Sequence, residues 1–219
     1  MNKINDRSLY LIISGEYANG RTALEVAKSA IAGGVDIIQM REKGKPRENL
    51  VRTGRELAGL CRENGVIFIV NDDPLLAKEV GADGVHLGAE DIKRFPLVKT
   101  RSILGPGKII GVSTGSLAEF ETANASGADY IGYGPVFPTK IKDGCSGTAD
   151  IPKIMAGAGK PVFFLGGIDM SNVGEVLEMG GKNISVIRAI CEADDITAAT
   201  KKLKRRINEA RTGKTARTR

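Results

Sequence analysis

Val66-Ile67-Phe68-Ile69-Val70-Asn71-Asp72-Asp73 is the stretch whose reading decides the fold: five apolar residues, rich in β-branched types, run straight into an amide and two carboxylates. An apolar run without polar alternation reads as a strand buried on both faces, as in a parallel sheet. Its polar end then lies where the strand leaves the core. A second acidic site follows a short apolar run at Val85-His86-Leu87-Gly88-Ala89-Glu90-Asp91. Two carboxylates delivered by adjacent strand ends suit a hard divalent cation such as Mg²⁺, which takes oxygen ligands and keeps several waters. The same acids also read as helix caps. Asp73 precedes Pro74, the order of an N-cap followed by proline at the first helical position, and Asp91 allows the same reading.

Working outward, apolar runs and helical patterns alternate along the chain. Strands are predicted at 9–13, 35–40, 66–70, 83–87, 109–112, 130–133, 161–165 and 184–187. Helices are predicted over 22–31, 47–64, 74–80, 117–126, 150–157, 172–179 and 195–210, whereas 92–108 reads as a short helix and a loop around Gly105-Pro106-Gly107. Eight strands, each trailed by a helix, predict an α/β protein with a single (β/α)₈ TIM barrel. An internal echo supports this: Gly34-Val35-Asp36, Gly81-Ala82-Asp83, Gly127-Ala128-Asp129 and Gly181-Lys182-Asn183 each stand before an even-numbered strand. The repeating unit is therefore two βα pairs, which suits a barrel core layered by alternate strands and has no reason to arise in an open sheet. The expected organisation is one domain over 1–210 and a basic, disordered tail over 211–219.

Composition narrows the function. Of the 32 basic and 26 acidic residues, nine and one lie in 201–219, leaving a body of 23 and 25 that is near neutral. The net charge of +6 thus belongs to a solvated end without aromatic platforms, and no nucleic-acid partner is expected. No apolar run approaches the roughly 18 residues that span a membrane, and no signal peptide is visible. Cys61, Cys145 and Cys191 are odd in number and far apart, which predicts a reducing cytoplasm and no disulfide or zinc framework.

In such a barrel the loops after the strands share one face, where chemistry sits. Gln39, Arg41 and Lys43 follow strand two at a spacing of two, which puts them on one side while the chain stays extended. Asn71 and Asp72 follow strand three, Glu90 and Asp91 strand four, Ser113 and Thr114 strand five. A long loop, Gly134-Pro135-Val136-Phe137-Pro138-Thr139-Lys140-Ile141-Lys142, follows strand six; Gly166-Gly167 follows strand seven, and Arg188 strand eight. Cations, hydroxyls, glycine amides and two candidate metal ligands are the parts that hold a pyrophosphate with Mg²⁺ and a second phosphate. His86, the only histidine, reads as a satisfied core residue, and nothing supports a nucleophilic triad.

These residues carry a resemblance. Gln39-Met40-Arg41-Glu42-Lys43, Asn71-Asp72-Asp73, Gly84-Val85-His86-Leu87-Gly88, Glu90-Asp91, Gly111-Val112-Ser113-Thr114, the run from Gly127 to Thr139, Lys142 and Gly166-Gly167-Ile168 together resemble the thiamine-phosphate synthase family across nearly the whole barrel. The resemblance implies a transferase that joins hydroxymethylpyrimidine diphosphate to thiazole phosphate, giving thiamine phosphate and pyrophosphate with Mg²⁺ as cofactor. It implies that Gln39, Arg41, Lys43, Asn71, Ser113 and Lys142 hold the pyrimidine diphosphate, with Arg41, Lys43, Ser113 and Lys142 acting in catalysis. It implies Asp72 and Asp91 as metal ligands, and Thr139, Gly167, Ile187 and Arg188 around the thiazole phosphate. The reaction so implied passes through a pyrimidine carbocation, so the work is electrostatic and needs no protein nucleophile.

The chain departs from the family pattern at Gly115, where histidine is usual, and at Ala89, Ile141 and Arg188, where glutamine, threonine and serine are usual. The loss of a hydroxyl at Ile141 weakens the phosphate side, and Arg188 offers a charge-assisted replacement. Two alternatives stand beside the synthase: a related thiazole tautomerase, against which Gly115 argues, and a non-catalytic binder of thiamine precursors, against which the metal ligands argue. The glycine-containing loop 138–149 is predicted to be a mobile lid, and a homo-oligomer remains open.

Overall fold

The computed structural model describes residues 4–139 and 147–210. Eight strands, β1 (Leu9–Ile13), β2 (Ile37–Met40), β3 (Ile67–Asn71), β4 (Gly84–Leu87), β5 (Ile109–Thr114), β6 (Tyr130–Tyr133), β7 (Val162–Phe164) and β8 (Asn183–Val186), run parallel and pair in chain order. β8 pairs with β1 through Leu9 and Ile184, closing the barrel. Around it lie α1 (Ala23–Ala32), α2 (Arg47–Glu63), α3 (Pro74–Val80), α4 (Ala89–Arg94), α5 (Leu97–Leu104), α6 (Leu117–Asn124), α7 (Ile151–Gly157), α8 (Val173–Glu178), α9 (Arg188–Cys191) and α10 (Ile196–Glu209). This is the (β/α)₈ barrel that the strand pattern predicts.

Two stretches differ from the expectation. Residues 92–108 hold most of two helices, α4 and α5, hinged at Phe95-Pro96. Thr100 Oγ1 donates to the Phe95 carbonyl at 3.0 Å and stitches the hinge to α5. The buried residues in this stretch, Phe95, Thr100 and Leu104, are too few to print a helical stripe. The second is α9, four residues directly after β8, in a stretch for which no element was predicted. It is too short for any periodicity to announce it.

The two-residue period of a strand sorts the core into two layers. Leu9, Leu11 and Ile13 of β1, or Phe68 and Val70 of β3, face the helices and join the large core cluster. Tyr10, Ile12, Ile37, Ile67, Ile69, Tyr130 and Phe163 face the other way and fill the barrel. Carried upward, the inward parity brings Gln39, Asn71, His86, Ser113 and Ser185 to the C-terminal mouth. The sequence therefore need only exchange apolar for polar residues at the last inward step of each strand to build a site.

The echoed Gly-x-Asp motif explains how the opposite end is closed. Asp36 accepts the amide of Leu9 (2.6 Å), Asp83 that of Phe68 (2.9 Å), Asp129 that of Ile110 (2.7 Å), and Asn183 that of Ser8 (3.0 Å). Asp36, Asp83 and Asp129, each ahead of an even-numbered strand, thus satisfy an amide at the start of the preceding odd-numbered one, and Asn183, the first residue of β8, satisfies the amide just ahead of β1; each donor is otherwise buried without a partner. Asp36 is also paired with Lys204 and Asp129 with Arg101, each at 2.6 Å.

Asp83→Ala, which strands the Phe68 amide, is expected to cost about 1–3 kcal/mol in urea or thermal unfolding. Asp6→Ala, which removes an exposed pair with Lys182, is expected to change little. Equal effects would refute the latch.

Candidate active site at the barrel mouth

The strand ends converge on a cavity of about 770 Å³. Every described residue expected to form a site lines it: Gln39, Arg41 and Lys43 from the end of β2, Asn71 and Asp72 from β3, Asp91 from α4, Ser113 from β5, Thr139 beyond β6, Gly167 after β7, and Ile187 and Arg188 at the junction of β8 with α9. Lys142 and the centre of the expected lid lie outside the described residues. The same is true of the tail 211–219, Ile141 and Cys145.

Backbone geometry separates the acids. Asp72 sits at φ 66°, a left-handed conformation unusual for a residue with a side chain. That turn is held by the Asp72 amide donating to the His86 carbonyl (2.8 Å) and the Asp73 amide donating to the Asn71 carbonyl (2.8 Å). It sends neighbouring carboxylates to different tasks. Asp73 is a cap: Oδ1 accepts the amides of Leu75 and Leu76, and Oδ2 accepts Arg47 at 2.7 Å. Asp91 also serves its helix, but by reaching back from the third position to the Gly88 amide (2.9 Å). Its carboxyl still meets that of Asp72, so burial and then the Asp91 carboxyl raise Asp72 to about 6, while Lys43, 4.0 Å away, and Arg41 pull it down. Two half-buried carboxylates held together under-neutralised are residues that could hold a cation.

Across the mouth, Gly166 and Gly167 adopt φ 91° and 66°. A Cβ on Gly166 would lie 2.3 Å from the Cβ of Pro135, and one on Gly167 would lie 2.7 Å from the Pro138 carbonyl oxygen. The glycines are thus required by both backbone and packing, and they leave main chain bare at the cavity wall. α9 begins beside them, so a glycine turn after β7 and a short helix after β8 share one side of the mouth, the usual phosphate corner of this fold. Arg188 is held there by Glu192 at 2.9 Å, with its guanidinium 6.0 Å from the centre of the Tyr17 ring.

His86 and Ser185 are among the lining residues not expected in the site. His86, read from sequence as a satisfied core residue, is satisfied and yet faces the cavity: its ring nitrogens lie 2.8 Å from the hydroxyls of Tyr130 and Ser113. Burial lowers its pKa to about 4, so it is neutral at physiological pH. Ser185, on β8, is 3% exposed, and its hydroxyl has no hydrogen-bond partner among the described residues. Inward parity is the one signal that could have found both.

Fold and site together define a TIM barrel whose C-terminal mouth gathers cations, an acidic pair and a glycine turn around one cavity. Comparison with known proteins makes the family explicit. The model of the thiamine monophosphate synthase family matches residues 9–190. The thiamine-phosphate synthase of Shouchella clausii is 43% identical over 205 residues, covering 92% of this chain and 97% of the relative. That of Moorella thermoacetica is 39% identical over 206 residues, covering 93% and 97%. The solved thiamine phosphate pyrophosphorylase of Pyrococcus furiosus superposes with a TM-score of 0.85 at 37% identity, covering 93% of this chain and 96% of that one. The chain belongs to the thiamine-phosphate synthase family.

Raised carboxyl pKa values carry a sign. With Asp72 at about 6 in the fold and near 4 unfolded, the folded state binds the extra proton between those values. Its stabilising contribution is present below about pH 4 and lost as pH rises through about 6. A cation between the carboxylates reverses this, so saturating MgCl₂ is expected to raise Tm clearly at about pH 7.5 and hardly at about pH 5. An equal shift at both, or an undiminished one in Asp72→Asn, would refute the acidic pair as a cation site.

Proposed function

We propose that the protein condenses hydroxymethylpyrimidine diphosphate with thiazole phosphate to give thiamine phosphate and pyrophosphate, by dissociative substitution at the pyrimidine methylene carbon. The observation that carries this reading is that one cavity is lined by two polar groups, the Asp72–Asp91 pair with Arg41, Lys43 and Ser113, and the Gly166-Gly167 turn with Arg188. One suits a metal-bound diphosphate and the other a phosphate monoester.

The carbon–oxygen bond breaks with both electrons leaving on the diphosphate, and the thiazole nitrogen then gives its lone pair to the carbon. Arg41 and Lys43 neutralise the departing charge, and Ser113 donates to a diphosphate oxygen. Gln39 and Asn71 orient the pyrimidine end. Asp72 and Asp91 would hold Mg²⁺, which would supply further charge neutralisation for the diphosphate. Thr139, Gly167, Ile187 and Arg188 seat the thiazole phosphate, with the Arg188 guanidinium standing in for a hydroxyl. Lys142 completes the diphosphate clamp in this reading.

A tautomerase needs an imidazole where this chain has Gly115, and it leaves the acidic pair without work. Partners are small phosphorylated molecules. Among the described residues no helix is long and apolar enough to cross a membrane, which fits the cytoplasmic location where such soluble substrates occur.

Purified protein incubated with both precursors and MgCl₂ is expected to form thiamine phosphate, measured by chromatography; no product would overturn the proposal. Asp72→Asn and Asp91→Asn are each expected to lose about a hundredfold or more in rate. Arg188→Ala is expected to raise KM for thiazole phosphate about tenfold or more while leaving KM for the diphosphate unchanged.

A further inference from the structure

Beneath the mouth, five polar side chains from five strands make one line of hydrogen bonds. Gln39 Nε2 donates to the Tyr10 hydroxyl at 2.8 Å, and that hydroxyl lies 2.9 Å from the Tyr130 hydroxyl. Tyr130 lies 2.8 Å from His86 Nδ1, and His86 Nε2 lies 2.8 Å from Ser113 Oγ. Gln39, Tyr10 and Tyr130 are each at most 2% exposed, and the two tyrosines stay below the cavity wall. Space for the line comes from missing side chains. A Cβ on Gly111 would lie 2.0 Å from the Tyr130 ring, and one on Gly132 would lie 3.2 Å from His86 Cε1.

Counting protons gives the line a direction. Each of its four links takes one hydrogen, and a buried hydroxyl whose hydrogen finds no acceptor is costly. Gln39 fills the first link. The Tyr10 hydrogen must then go to Tyr130, and the Tyr130 hydrogen to Nδ1 of His86. An imidazole that accepts at Nδ1 carries its hydrogen on Nε2, which fills the last link by donating to Ser113 Oγ. A second ring proton would leave a tyrosine hydrogen without an acceptor, so the count requires the neutral ring. The Ser113 hydrogen is then the one left over, and the cavity is the place for it.

We propose that Gln39, Tyr10, Tyr130 and His86 form a one-way relay in which His86, as a positioning residue in its Nε2–H form, holds the Ser113 hydroxyl as a donor toward the anion in the mouth. Reversed, the same five groups would turn the Ser113 hydrogen inward and present only lone pairs to a diphosphate. The relay gives the His86 ring, whose one N–H is spent on Ser113, a role in the site that needs no contact with the substrate. It rests on the reading that Ser113 meets the diphosphate.

Because His86 is the only histidine, one long-range ¹H–¹⁵N spectrum of the full-length, labelled protein near neutral pH reports its tautomer without assignment. The expected spectrum is a single form, protonated at Nε2 and bare at Nδ1. A ring protonated at Nδ1, or at both nitrogens, overturns the relay. Tyr130→Phe removes the donor to Nδ1 and is expected to admit the Nδ1–H form. It is expected to slow the single-turnover rate about tenfold, with KM for thiazole phosphate unchanged. A folded Tyr130→Phe protein with the wild-type tautomer and rate also overturns it. Failure of the wild-type protein to make thiamine phosphate would overturn the activity instead, since the ring spectrum decides the relay by itself.

Discussion

A closed barrel of eight short strands gives each inward position a fixed volume, and that constraint governs the rest of this molecule. Side chains from all eight strands point at one axis, so a large group on one strand needs a small one opposite or beside it. Tyr10, Tyr130 and Phe163 pack together low in the barrel, with Tyr130 and Phe163 ring centres 5.4 Å apart. Gly111 and Gly132 stand where these rings and the His86 imidazole would otherwise collide with a methyl group. Glycine in a strand interior weakens the strand, and here its use is to vacate volume for aromatic and polar groups.

The same constraint grades the interior from base to mouth. At the base, Asp36, Asp83, Asp129 and Asn183 close the strand pairs by satisfying main-chain amides. In the middle, aliphatic and aromatic side chains exclude water. At the top, the inward residues turn polar within one step, from Ile37 to Gln39 and from Ile69 to Asn71. Charged groups therefore stand on a dry floor, where a carboxylate is pushed toward its neutral form and an imidazole loses its proton. The reaction proposed for this mouth brings in a metal and a diphosphate, whose binding would relieve that strain.

Legibility followed length of signal. The strands were readable because apolar runs end in polar residues, and the barrel because Gly-x-Asp recurs before every second strand. The roles of the acids were not separable, since Asp73 before Pro74 and Asp72 before it look alike until the left-handed turn at Asp72 divides them. α9 was invisible because four residues carry no period, and α4 with α5 read as one short helix and a loop because their stripe is sparse. His86 was read as core, which describes its hydrogen bonds and misses its position. Its partners come from β5 and β6, far away in the chain, and no local pattern encodes a contact of that range.

The chemistry proposed for the mouth adds a requirement that binding alone does not. A pyrimidine cation will take any available lone pair, so the walls must offer charge stabilisation without offering a nucleophile. Cys61 and Cys191 are buried away from the cavity, and desolvation pushes both thiols up to about 12, far from the reactive thiolate. The imidazole is the most dangerous neutral base at the site, and both of its nitrogens are occupied, one by Tyr130 and one by Ser113. An imidazole that is neutral but engaged on both sides cannot attack the cation, whereas a free one could. The buried tyrosines thus protect the site as well as order it, and the thiazole nitrogen is left as the lone pair best placed to capture the carbon.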